Sequence, residues 1–156
     1  MDVQQQDVIS ADAEDQFVTV TIGSQLFGVP VLCVQDVLVA QKTTPIPLAP
    51  PEVAGALNLG GRIVTAIDMR RSLGLPARKS GGPSMYVVVE DYDELYSLMV
   101  DSVGEVMTLP NGSLERSPGT LDPRWREISG GIFRLDGKLL VVLDVERLLD
   151  FMRRAE

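Results

Sequence analysis

Residues 55–75, GALNLGGRIVTAIDMRRSLGL, decide how the rest of the chain is read. The glycines of GALNLGG interrupt any alternation and signal a turn or a close backbone approach. RIVTAID is a strand, because Ile63, Val64, Thr65 and Ile67 are β-branched residues that suit a pleated, half-buried surface. Asp68 is placed to accept the first N–H groups of a short helix, and Gly74 to close that helix in the left-handed conformation. No catalytic group stands in this elbow of strand, Asp and helix. A related elbow, LDGKLLVVLDVERLL, recurs at 135–149.

The recurrence extends to most of the chain. Phe17 aligns with Tyr86 at an offset of 69, and the register runs without a gap to Leu38 and Met107. Val18/Val87, Val20/Val89, Leu26/Leu95, Val31/Val100, Val34/Val103 and Val37/Val106 coincide within it. The elbows align at an offset of 76, with Gly61/Gly137, Arg62/Lys138, Asp68/Asp144 and Leu73/Leu149 in register. Two valine-rich segments could match by composition alone. The shared order of hairpin, V-x-x-V, strand, Asp and helix favours duplication. The halves fall at about 16–75 and 84–151 of one domain spanning 16–156, with exchange of strands between them left open. Halves of about 65–70 residues are marginal alone and should share an interface. Short strands punctuated by Gly and Pro point to a mainly β pair of small barrels, with a groove between them as a natural docking site.

In chain order, residues 1–15 are acidic, lack apolar periodicity and are expected to form a disordered tail. FVTVTIGSQLFGV is a hairpin turning at Gly23–Gln25. VLCVQDVLVA is a short helix followed by extended chain. TTPIPLAPP (43–51) cannot be a central strand, since its prolines donate no ladder hydrogen bonds. PARKSGGPS (76–84) is the seam. A second hairpin turns at Asp91–Glu94, a helical turn is expected near Pro123–Arg126, and a third hairpin turns at Asp136-Gly137. Val145, Leu148, Leu149 and Met152 lie at i, i+3, i+4 and i+7, one face of a C-terminal helix.

Composition removes several classes of function. The net charge is −8, and five of the acids fall in residues 1–15, leaving −3 elsewhere. Such a balance does not attract nucleic acid or an anionic membrane. Histidine is absent and Cys33 is the single cysteine, which argues against a common general base and a zinc site. Cys33 sits among Val31, Leu32 and Val34, where a small buried hydrophobe is the better reading than a reactive thiol. No phosphate-binding glycine motif occurs, and the acidic run Glu90–Glu94 is better explained as a solvated turn than as paired catalytic carboxylates. MDVQQQDV lacks the marks of a signal peptide, and no apolar run approaches the roughly 20 residues needed to cross a bilayer. A cytoplasmic protein that binds no metal and no cofactor is expected. What remains is docking surface. The V-x-x-V pairs (Val34 and Val37; Val103 and Val106) and the NLGG turn are its candidates, with core packing the competing reading for each valine.

FVTVTIGSQLFGVPVLCVQDVL (17–38), IPLAPPEVAGALNLGGRIVTAIDMRRSLGL (46–75) and LMVDSVGEVMTL (98–109) resemble the CheW family of bacterial chemotaxis coupling proteins. The likeness covers about residues 16–151. It rests on NL-x-G and ID-[LM]-R in combination with VQDV and VDSV. It implies two SH3-like five-stranded β barrels with short helices, in an adaptor joining the cytoplasmic tips of chemoreceptors to the regulatory domain of the histidine kinase CheA. By position it implies that Val34, Asp36, Val37 and Val106 face the receptor, with Val103 beside them. Gly55, Asn58, Leu59, Gly60 and Gly61 then belong to a turn that couples receptor and kinase. Two positions depart from the family pattern: Gly60 stands where NLRG has a charged residue, and Thr65 stands where IVPVID has a proline. Arg62 is expected to take over the missing charge. The alternative is the same scaffold in a chemosensory pathway that does not serve motility, and an enzyme working in the groove is disfavoured.

Overall fold

The computed structural model describes residues 13–77 and 84–154. In chain order the strands are β1 Glu14–Ile22, β2 Gln25–Pro30, β3 Val34–Val39, β4 Val53–Leu59, β5 Arg62–Asp68, β6 Met85–Asp91, β7 Glu94–Val100, β8 Ser102–Pro110, β9 Ser129–Leu135 and β10 Lys138–Leu143. The helices are α1 Met69–Ser72, α2 Pro123–Ile128 and α3 Val145–Arg154, with single 3₁₀ turns at Val31–Cys33 and Asn111–Ser113.

The strands build two five-stranded units, ordered β8-β1-β2-β10-β9 and β3-β6-β7-β5-β4. Neither is a sequence half. The first barrel takes β1 and β2 from before the seam and β8 to β10 from after it; the second takes β3 to β5 and β6–β7. Replacing each strand by its repeat partner turns one order into the other. The registers agree residue by residue. Val18 opposite Val29 corresponds to Val87 opposite Leu98, and Val20 opposite Val103 to Val89 opposite Val34. The parallel pairing of Val141 with Phe27 corresponds to that of Thr65 with Tyr96. The molecule is thus a pseudo-twofold pair of barrels formed by strand exchange.

The apolar residues tie the two barrels into one unit. One core cluster joins Val18, Val20, Ile22 and Phe27 of the first barrel to Val87, Val89, Leu98 and Val100 of the second. Burying each such side chain contributes about 1.5–3 kcal/mol, so neither barrel gains its full share alone. Two smaller cores close the outer ends and are themselves repeat partners. Phe17, Phe133, Leu140 and Val142 fill one; Tyr86, Leu57, Val64 and Ala66 fill the other. Phe17 meets Phe133 edge-on at 5.5 Å between ring centroids.

The elbows form as their sequences dictate. Asp68 accepts from the N–H groups of Arg70 and Arg71, and Asp144 from that of Arg147. Gly55 and Gly131 are repeat partners, and each kinks its strand with φ of +150° and +129°. A Cβ at Gly55 would stand 2.6 Å from the Thr44 carbonyl oxygen, and one at Gly131 2.7 Å from that of Glu115. β1 begins at Glu14, so the last two residues of the stretch expected to be a tail are strand, with Glu14 opposite Pro110. Residues 1–12 of that stretch, and 78–83 of the seam, lie outside the described residues.

Candidate docking surfaces

β3 and β8 are one repeat-related pair of edge strands, and β4 and β9 the other. The first pair carries all five groove candidates. Val34 and Val103 are half-buried and lean on the shared core. Val37 is half-buried, Asp36 is exposed, and Val106 keeps 52% of its surface. The Asp36 carboxylate accepts from the Val37 N–H at 2.8 Å. An edge strand offers backbone donors and acceptors on its free side as well as side chains.

The expected coupling turn is a two-residue hairpin between β4 and β5. Gly60 and Gly61 have φ of +57° and +88°, the left-handed pair that such a turn needs, and the Asn58 carboxamide oxygen accepts from the Gly61 N–H at 3.0 Å. Nothing lies within 4 Å of a Cβ built at Gly60. Arg62 is exposed and donates to the Asp93 carbonyl at 3.0 Å, which ties this turn to the β6–β7 turn. Leu59 faces the other way, into the second barrel's small core. Gly55 is not part of the turn. It is buried at the kink in β4, where contact with Thr44 explains its lack of a side chain.

Pseudo-symmetry also creates two places where a helix N-terminus meets the opposite barrel, and these differ. At one, Arg70 of α1 grips Asp101 through Nε at 2.9 Å and Nη2 at 2.7 Å. Asp101 also accepts from the Gly23 N–H at 2.8 Å. At the other, the repeat partners of Arg70, Asp101 and Gly23 are Glu146, Leu32 and Tyr92. There a cleft of about 720 Å³ opens, and its lining includes Glu14, Asp15, Glu90, Asp91, Asp144 and Glu146. Leu32 stands 96% exposed on its wall. Tyr92 donates to the Glu146 carboxylate at 3.0 Å, and this bond raises its phenol above the ordinary range. Cys33 lines the cleft half-buried; burial raises its thiol pKa first, and the Asp144 and Asp91 charges add to the rise. The cysteine is therefore a neutral packing group, as its apolar neighbours in sequence suggest. The aligned repeats held the signal for this cleft in the swap of Arg70 for Glu146.

No group of three or more His, Cys, Asp or Glu side chains is placed to hold a metal among the described residues, and no described helix is long and apolar enough to cross a membrane.

The CheW-like domain family matches residues 16–152, which include both barrels. The chain belongs to the CheW family. It is 27% identical over 134 residues to the chemotaxis protein CheW of Helicobacter pylori, covering 86% of this chain and 81% of that one. It is 25% identical over 142 residues to the Thermotoga maritima CheW, covering 90% and 92%. The crystal structure of the scaffolding protein TtCheW from Thermoanaerobacter tengcongensis superposes with a TM-score of 0.75 at 27% identity, covering 84% of this chain and 89% of that one. This membership accounts for the paired SH3-like barrels.

Proposed function

We propose that the chain is a non-catalytic chemotaxis adaptor that works in the cytoplasm and couples the tips of transmembrane chemoreceptors to the histidine kinase CheA. The family match over both barrels carries this reading. The edge strands β3 and β8 support its placement: they present Val37 and Val106 at the margin of each sheet, where a partner segment can dock. The Gly60-Gly61 turn with Arg62 is read as the turn that couples receptor and kinase. A rigid double barrel that binds both partners raises their effective concentration for one another and passes shifts between them.

Binding of the full chain to a receptor cytoplasmic fragment and to the CheA regulatory domain tests the reading. Val106→Asp places a charge on an exposed edge. It is expected to weaken receptor binding by about tenfold or more while the melting temperature holds. Arg62→Ala is expected to weaken binding to at least one of the two partners. Unchanged binding of both partners by both variants would overturn the assignment.

A further inference from the structure

Trp125 of the first barrel marks a place whose counterpart in the second barrel is open. The indole, carried on α2, packs on Phe27 with ring centroids 5.7 Å apart and donates its Nε1–H to the Leu73 carbonyl at 3.0 Å. Phe27 and Val141 beneath it are fully buried. The repeat offsets carry Phe27 to Tyr96, Leu73 to Leu149 and Val141 to Thr65. These three partners, with Met152 and the 46–50 loop, line a cavity of about 390 Å³. The connection over 40–52 is shorter than that over 111–128 and carries no helix, so nothing in it plays the part of Trp125.

The lip of the cavity bears a second mark. The Ala49 N–H bonds the Ile46 carbonyl at 3.3 Å across Pro47-Leu48, and Leu48 takes a φ of +62° with its side chain 105% exposed. Glycine or asparagine ordinarily fills that turn position. A large apolar residue is held there in strained backbone and presented to solvent at the mouth of an apolar cavity.

We propose that this cavity is a socket for an aromatic side chain, tryptophan above all, carried on a short helix of a partner protein. The occupant's chemistry is read from the molecule itself. The equivalent place in the first barrel, with the aromatic ring of Phe27 as its floor and Leu73 just past the end of α1 at its side, is filled by Trp125. The volume lies toward the small end of the range for binding pockets, about 300–1,000 Å³, which suits one large side chain and its flanks. The socket is separate from the β3 and β8 edges and from the Gly60-Gly61 turn, so it stands or falls independently of the adaptor assignment.

The test titrates the isotope-labelled full chain with a capped peptide copying residues 121–129, LDPRWREIS, and with its Trp125→Ala counterpart, read by amide chemical shifts. Saturable shifts at Val53, Thr65, Tyr96, Leu149 and Met152 are expected from the first peptide. Binding should be about tenfold or more weaker for the second, since the indole supplies most of the buried area. Thr65→Arg in the labelled chain, which fills the half-buried floor, should abolish the shifts, and Leu48→Asp on the fully exposed lip should weaken them without any cost to folding. Equal shifts from both peptides, or shifts confined to Phe27 and Leu73 where α2 already sits, would overturn the proposal. Concentration-dependent shifts of the socket without peptide would assign it to a second copy of the chain, and would overturn it equally.

Discussion

Arg70 and Glu146 occupy the same place in the two repeats, just inside α1 and α3, and they carry opposite charges. Arg70 draws Asp101 and the β1–β2 turn together and closes its junction. Glu146 has Leu32 where Arg70 has Asp101, and its junction is open, acidic and lined with apolar surface. The outer faces divide the same way: α2 covers the first barrel, and a proline-rich loop leaves a cavity on the second. Backbone register is shared to the residue, so the difference comes from a few side chains and one longer connection. The two frames share a register, and a few side chains make one junction a seal and the other an open surface.

If the frames are equal, the two glycine kinks should answer alike, and this is the largest effect. Gly55→Ala and Gly131→Ala each force a Cβ against a carbonyl oxygen at positive φ. Each should cost roughly 2–4 kcal/mol in denaturant unfolding. A large loss at one position and none at the other would break the equivalence of the barrels.

The junctions should answer unequally. Asp101→Asn removes the anion from a pair whose side chains keep only 21% and 19% of their surface, and weakens the acceptor for Gly23. The expected loss is roughly 1.5–3 kcal/mol, in the range of hydrogen bonds to charged groups. Glu146→Gln acts on an exposed side chain and should stay within about 0.5 kcal/mol. Equal losses would mean that the acidic cleft is also a structural seal.

Much of this was legible in the sequence. β-branched runs, Gly and Pro punctuation and the Asp caps are local signals, and they gave the elbows, hairpins and short helices. The two offsets, 69 and 76, map each strand pairing of one barrel onto its counterpart in the other, because repeats that share a register share a ladder. Which half supplied each strand was not legible, since exchanged and unexchanged barrels bury the same pattern. The resemblance places Gly55 in the coupling turn, whereas it lies in β4, away from the Gly60-Gly61 turn. Its φ is dictated by Thr44, distant in sequence and brought close by a bridge to Ala56. The acidic cleft gathers residues from both ends of the chain, and no local window contains it. The cavity on the second barrel likewise draws its lining from 46–50, 53, 65, 96, 149 and 152, which no local window contains.

The character of the open junction can be read through Cys33 without disturbing the fold. Its thiol is half-buried beside the Asp144 and Asp91 carboxylates, so forming the thiolate there costs more than in the unfolded chain. The folded pKa is raised. The linked stability is therefore fully present below the ordinary thiol value of about 8.5 and lost as pH rises through the folded one. Alkylation of the native chain near pH 8.5 should accordingly be slower than that of the chain in denaturant, because the thiolate is the nucleophile. Burial is the larger cause of the shift, so Asp91→Asn, which removes one charge and leaves the Asp144 helix cap in place, should speed alkylation only in part. Raising the salt concentration should have the same sign, since it screens both carboxylates. An alkylation rate indifferent to salt and to Asp91 would leave burial as the whole cause and remove the electrostatic distinction between the cleft and its closed counterpart.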